Sequence, residues 1–212
     1  MIVALDGPAG VGKSTIVGMI SERMGFFNLN SGRFYRGITY KALKEGVKID
    51  DPEGLTRIAE SIDFTVTDGT LMIDGIPAGK HLHSDMVDKS VAQVSAIVPV
   101  RHIVNKHLRR IGGSIDVIVE GRDITTVVFP DAECKIYLDA SIEARAKRRF
   151  NQGTSNQTLE ELFESIRTRD EIDKNKIEGS LQIAQDAIYF DTSDLTISEV
   201  CETLVDKINR RK

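Results

Sequence analysis

Five apolar residues, Met1-Ile2-Val3-Ala4-Leu5, open directly into Asp6-Gly7-Pro8-Ala9-Gly10-Val11-Gly12-Lys13-Ser14-Thr15, and Gly7 to Ser14 fits G-x-x-x-x-G-K-[ST]. No other stretch constrains the fold as much. The glycines let the backbone turn with its N–H groups pointing into a concave nest. A helix that follows adds the positive end of its dipole, so the segment can hold a polyphosphate. Gly7, Pro8, Ala9, Gly10, Val11, Gly12, Lys13, Ser14 and Thr15 are the candidate nucleotide-binding residues. Lys13 is expected to reach the β- and γ-phosphates, and the Ser14 hydroxyl to ligate Mg²⁺. Such a loop needs a buried strand before it and a helix after it. Both are legible, because Ile16, Met19, Ile20 and Met24 continue an apolar helical stripe.

The 212 residues suffice for one α/β core with a small inserted element, and two independent domains are not expected. A net charge of −4 gives no reason to expect nucleic acid as a partner, so any polyanion site must be local. The two cysteines, Cys134 and Cys201, lie far apart without metal-ligand spacing and read as reduced structural thiols of a cytoplasmic protein. His81, His83, His102 and His107 show no metal-binding spacing and read as surface residues. No apolar stretch approaches membrane-spanning length, and Met1 to Leu5 is too short and uncharged for a signal peptide.

Along the chain, Phe26 to Asn30 leads to a helix that ends near Gly46, with Ser31 as its expected N-cap. A polar helix from Asp50 to Ile62 has Pro52 in its first turn. Phe64, Val66, Leu71, Ile73 and Ile76 then alternate with polar residues around Asp68-Gly69 and Asp74-Gly75, predicting short antiparallel strands in an insert from Asp63 to about Val87. Helical periodicity returns from Asp88 to about Ile97, and again from Pro99 to a stop at Gly112-Gly113. Ile115 to Val119, apolar but for Asp116, reads as a strand buried on both faces, and it delivers Glu120-Gly121-Arg122-Asp123 at its carboxyl end. Ligands of open α/β sheets bind at that end. A strand from Cys134 to Leu138, a helix from Ser141 to Phe150, a polar loop from Asn151 to Gln157 and a helix from Thr158 to about Lys174 follow. Thr158 with Glu161 is a capping-box signature. Ala187 to Asp191 reads as the last strand and Ser198 to Arg211 as the last helix. The alternation behind a phosphate loop predicts a P-loop α/β sandwich with a parallel sheet flanked by helices.

Phosphoryl transfer requires in-line positioning and fixed positive charge more than covalent help. Arg36, Arg101 and Arg122 each stand near a segment end, and Arg122, directly after a buried strand, is the strongest candidate clamp for an acceptor phosphate. Arg169, Asp173 and Lys176 share one helical stripe, which by spacing alone reads as an ordinary surface ion-pair ladder. Arg145, Arg148 and Arg149 share a face beside the polar loop, which could close as a lid over a triphosphate and exclude water. The guanine-reading Asn-Lys-x-Asp of a GTP-dependent switch is missing, since Asn105-Lys106 and Asn175-Lys176 lack the aspartate.

Asn30-Ser31-Gly32-Arg33-Phe34-Tyr35-Arg36 and the run from Glu120-Gly121-Arg122-Asp123 to Pro130-Asp131-Ala132 resemble the bacterial cytidylate kinases. So do Val100-Arg101, Lys135 to Ser141, Arg145 to Arg149, and Arg169-Asp170 with Asp173. The resemblance covers nearly the full length and implies the nucleoside-monophosphate-kinase fold: a core, a nucleoside-monophosphate-binding element at about 63–87 and a helical lid at about 150–176. It implies a monomeric, Mg²⁺-dependent enzyme that transfers the ATP γ-phosphate to CMP or dCMP. Carried over by position, Lys13, Arg36, Arg122 and Asp123 form the catalytic set, and Arg148 joins the ATP-binding residues. Ser31, Tyr35, Arg36, Arg101, Gly121, Arg122, Asp123, Arg169, Asp173 and Lys176 would hold CMP. Within that set Arg36 and Arg122 take the phosphate, Arg101 and Asp123 the cytosine edge, and Arg169 and Asp173 the ribose side. Asn30, Ala92, Glu120, Thr125 and Lys176 depart from the family pattern, which has aspartate, serine, aspartate, glycine and arginine there.

Overall fold

The computed structural model describes residues 1–153 and 157–211. In chain order the strands and helices are β1 (Ile2–Asp6), α1 (Lys13–Met24), β2 (Phe27–Asn30), α2 (Ser31–Lys44), α3 (Pro52–Ser61), β3 (Phe64–Thr67), β4 (Thr70–Ile73), β5 (Ile76–Pro77), α4 (Asp85–Val94), α5 (Val98–Gly112), β6 (Val117–Gly121), β7 (Cys134–Asp139), α6 (Ile142–Asn151), α7 (Leu159–Lys174), β8 (Ile188–Asp191) and α8 (Ile197–Asn209). The chain divides into two compact units, one of Met1–Leu29 with Ile115–Lys212 and one of Asn30–Ser114.

A five-stranded sheet in the order β2-β6-β1-β7-β8 carries the first unit. β1 pairs in parallel with β6 on one side and β7 on the other, and β8 pairs in parallel with β7. Because strand side chains alternate, Val3 and Leu5 share a face with Ile118, Cys134, Ile136 and Leu138, and pack on Ile16, Val17 and Ile20 of α1 and Val200, Cys201, Leu204 and Ile208 of α8. Cys134 and Cys201 are free and buried in that layer, as expected of structural thiols, and burial pushes both thiols up. Helix starts follow local chemistry: Ser141 caps α6, and Thr158 with Glu161 forms the expected capping box of α7. A second capping box, Thr196 with Glu199, starts α8 slightly before the expected Ser198.

The second unit packs α2 to α5 with a three-stranded antiparallel sheet in the order β3-β4-β5. The Asp-Gly turns form where expected, with positive φ at Asp68, Gly69, Asp74 and Gly75. Phe34 and Phe64 stack tilted at 4.6 Å in the core of this unit. Gly37 lets α2 approach the strands, since a Cβ there would lie 2.7 Å from Ile73 Cδ1. The antiparallel strands expected as a small insert therefore belong to a larger body of residues 30–114. Two helix starts differ from expectation. Ser31 is not the cap of α2 but its first residue; β2 runs into the helix without a loop, and the extended residue at the boundary is Asn30. α4 begins at Asp85 instead of Asp88, because Ser84 accepts from the Val87 amide and ends a short 3₁₀ turn at Lys80–His83. Unforeseen from sequence is a π-turn at Ile124–Val128, directly after β6.

Candidate active site

The phosphate loop joins β1 to α1 as predicted. At Gly7 the backbone approaches β7 so closely that a Cβ would lie 2.3 Å from the Leu138 carbonyl oxygen. Lys13 starts α1, is 7% exposed, and donates to the carbonyls of Gly7 (2.6 Å) and Pro8 (2.8 Å). Burial and the nearby Arg122 guanidinium push its ammonium well below the ordinary lysine range, against the pull of Glu120, Asp173 and Asp6. An ammonium desolvated in this way favours an incoming polyphosphate.

The loop is held from outside by α6 and α7. Arg145, 4% exposed on its side chain, pairs with Asp170 at 2.7 Å and donates to the carbonyls of Ala9 (2.9 Å) and Ala140 (3.0 Å). Asp170 in turn accepts from the Ala9 amide at 3.3 Å. Arg148 donates to the Val11 carbonyl (3.4 Å), the Thr192 hydroxyl (3.0 Å) and the Thr192 carbonyl. Arg145 is thus a buried brace of the loop, because an arginine fork satisfies two carbonyls and a carboxylate at once. The expected lid loop from Asn151 to Gln157 lies partly outside the described residues.

The β1–β6 register sets Glu120 opposite Leu5, on the α1 face, where the Ser14 hydroxyl donates to its Oε2 at 3.1 Å. A hydroxyl beside a carboxylate suits Mg²⁺, a hard cation that keeps several waters and takes one or two protein oxygens plus phosphate. Among the described residues no group of three or more His, Cys, Asp or Glu could hold a metal alone. Arg122, next along the chain, donates from Nε to Asp173 (2.7 Å) and from Nη1 to the Gly121 carbonyl (3.3 Å). Asp173, 2% exposed, also accepts from Lys176 Nζ at 2.8 Å. Burial would raise the Asp173 carboxyl, but Arg122, Lys176 and Arg169 outweigh it and hold it well below the usual carboxylate range. Arg169, Asp173 and Lys176 are therefore neither a surface ladder nor one helical stripe, since α7 ends at Lys174 and Lys176 lies past its C-cap. They form a buried anion ringed by cations, and spacing missed it because Arg122 arrives from 51 residues away. Gly121 and Asp123 complete this corner, both buried.

Sequence reasoning also missed Asp6. It is fully buried and accepts from the amides of Ile124 (2.9 Å) and Thr125 (2.8 Å) and from the Thr125 hydroxyl (2.7 Å). Burial pushes its carboxyl up to about 6. The legible signal was an acid ending an apolar strand.

The remaining candidates are in the unit of residues 30–114. Arg36 pairs with Asp88 at 2.5 Å and donates to the Leu82 carbonyl at 2.9 Å. Arg101, 2% exposed, donates to the Ser95 carbonyl at 2.9 Å, and its guanidinium lies 6.0 Å from the Tyr35 ring centre. Ser31 and Tyr35 are each 7% exposed. Asp88, which fixes Arg36, was not foreseen.

A parallel sheet with this loop, and arginines and acids crowded at the carboxyl end of its strand beside the loop, defines a P-loop phosphotransferase. The sequence profile described as "Cytidylate kinase" matches residues 3–210. The "Cytidylate kinase" of Borrelia hermsii is 41% identical over the whole of both chains. That of Caldanaerobacter subterraneus subsp. tengcongensis is 37% identical over 98% of this chain and 94% of its own. The chain belongs to the cytidylate kinase family. Among solved structures, an uncharacterized protein from Eubacterium ventriosum matches with a TM-score of 0.56 at 10% identity, over 99% of this chain and 98% of its own. A sugar kinase from Janibacter sp. HTCC2649 matches with 0.51 at 12% identity, over 98% and 94%. Both likenesses are of fold alone.

Proposed function

We propose that this protein transfers the γ-phosphate of ATP to CMP or dCMP, giving ADP and CDP or dCDP. The observation that carries the reading is Arg122 at the carboxyl end of β6, close enough to Lys13 to depress its ammonium, in a chain whose whole length matches the family. Loop amides from Gly7 to Thr15 and the Lys13 ammonium would take the ATP phosphates, with Arg148 beside them. Ser14, seconded by Glu120, would hold Mg²⁺, which when bound neutralises phosphate charge. An oxygen of the acceptor's phosphate attacks the γ-phosphorus in line, the bond to the β–γ bridging oxygen breaks, and ADP takes that electron pair. No covalent enzyme intermediate is required.

By position in the family, Gly121, Arg122, Asp123, Arg169, Asp173, Lys176, Ser31, Tyr35, Arg36 and Arg101 are carried over as the acceptor-binding residues. Arg122 and Arg36 suit the phosphate, since a guanidinium offers two parallel donors to it. Arg101 and Asp123 suit cytosine, whose N4 amino group donates and whose N3 and O2 accept. The protein is assigned as a cytoplasmic monomer; among the described residues no helix is long and apolar enough to cross a membrane. A coupled assay with ATP and a panel of CMP, dCMP, UMP, AMP and shikimate tests this. CMP and dCMP should be turned over fastest, and faster phosphorylation of any other acceptor would refute the assignment.

A further inference from the structure

Asp6 ends β1, where its residue pairs in register with Gly121 of β6 and Tyr137 of β7. By strand alternation its side chain leaves the face of Val3 and Leu5, which pack on α1 and α8, and enters the opposite face. There all three of its hydrogen bonds go to two consecutive residues, Ile124 and Thr125, the first residues of the π-turn. The opening amides of a helical turn have no partner within it. In this turn the amides of Val127 and Val128 reach back to the Asp123 carbonyl, and that of Phe129 to Ile124, while no side chain of the turn's own boundary residue caps it. A residue 118 positions earlier does so instead.

The consequence falls on the two residues in between. Gly121 is fixed to Asp6 through the β1–β6 register, and Ile124 is fixed to Asp6 through its carboxylate. Arg122 and Asp123 are the only residues between those anchors. We propose that Asp6, with Thr125, is a positioning residue that fixes the Arg122-Asp123 dipeptide for the acceptor nucleotide. This rests on the acceptor role assigned above. Supporting it, a fully buried carboxylate is an expensive cap, and burial raises its pKa despite three donors. An asparagine or serine would cap a purely structural turn at less cost. The groups that face Asp6 electrostatically are Asp123, Lys13 and Tyr137, so its charge belongs to the same corner as the phosphate loop.

Thr125→Val, Thr125→Ser and Asp6→Asn test it through KM for CMP, KM for ATP, kcat and amide exchange across residues 120–129. Losing the hydroxyl in Thr125→Val should raise KM for CMP about fivefold, and Asp6→Asn about tenfold or more, since hydrogen bonds to charged groups are the stronger ones. KM for ATP in Thr125→Val should stay within about twofold, and Thr125→Ser should restore the wild-type KM for CMP. Exchange of the 120–129 amides should quicken in Thr125→Val without any substrate present. An unchanged KM for CMP in Thr125→Val, a parallel rise for both nucleotides, or Thr125→Ser as defective as Thr125→Val would overturn the positioning role. If Asp6→Asn does not fold, the threonine pair still decides. A wild type inactive on CMP refutes the assigned function instead, and the exchange measurement then separates that failure from an absent clamp.

Discussion

Arg122 carries two burdens, a bond to buried Asp173 and the assigned grip on the acceptor phosphate. Arg122→Ala should therefore lose about 10²–10³-fold in kcat, the scale of removing one transition-state donor. It should also melt lower, because Asp173 loses one of its cations and stays buried with Lys176. Arg122→Lys should keep most of the stability and less of the activity, since an ammonium cannot reproduce the fork. Burial and Arg122 hold the Lys13 ammonium well below the ordinary lysine range, and a bound polyphosphate raises it again, so ATP binding should take up protons at any pH where Lys13 of the free protein is partly titrated. Calorimetry in buffers of different ionisation enthalpy reads that directly. Asp6 makes a pH prediction of opposite sense to an ordinary salt-bridged acid. Its native carboxyl sits at about 6 against 3.8 for the free group, so the native state holds the extra proton between those values. Stability from this group is thus highest at low pH and falls by roughly 3 kcal/mol as pH rises through 6, then stays level. Relative to wild type, Asp6→Asn should gain in denaturation free energy between pH 5 and pH 7. A constant difference between the two proteins would contradict it.

Most elements announce themselves in the sequence. The phosphate loop, the Asp-Gly turns of β3 to β5 and the Thr158–Glu161 box all formed where local chemistry put them, because each depends on neighbours a few residues away, whereas β6 runs two residues later than the expected Ile115 to Val119 and takes in Glu120 and Gly121. Two of the misses have a different cause. The cap of the π-turn comes from Asp6, and the partner of Arg122 comes from α7, so both are tertiary pairings that no window of sequence displays. The Thr196–Glu199 box was readable locally and is a clean control. Thr196→Ala should cost about 1 kcal/mol and lower the melting midpoint by a few degrees while leaving both KM values alone.

At the scale of the whole chain, the family match runs from residue 3 to residue 210 and so takes in most of the first compact unit and all of the second. Fold class and phosphate chemistry were legible from the loop and the alternation of strands and helices. The acceptor was legible only by resemblance, since arginines alone specify phosphate and not the base that accompanies it. Single-turnover transfer with γ-labelled ATP and CMP goes to the core of the account. Label should pass into CDP, with none retained on protein, and the transfer should collapse in Arg122→Ala. Label that leaves as inorganic phosphate, stays bound to protein, or passes to AMP in preference to CMP would contradict it.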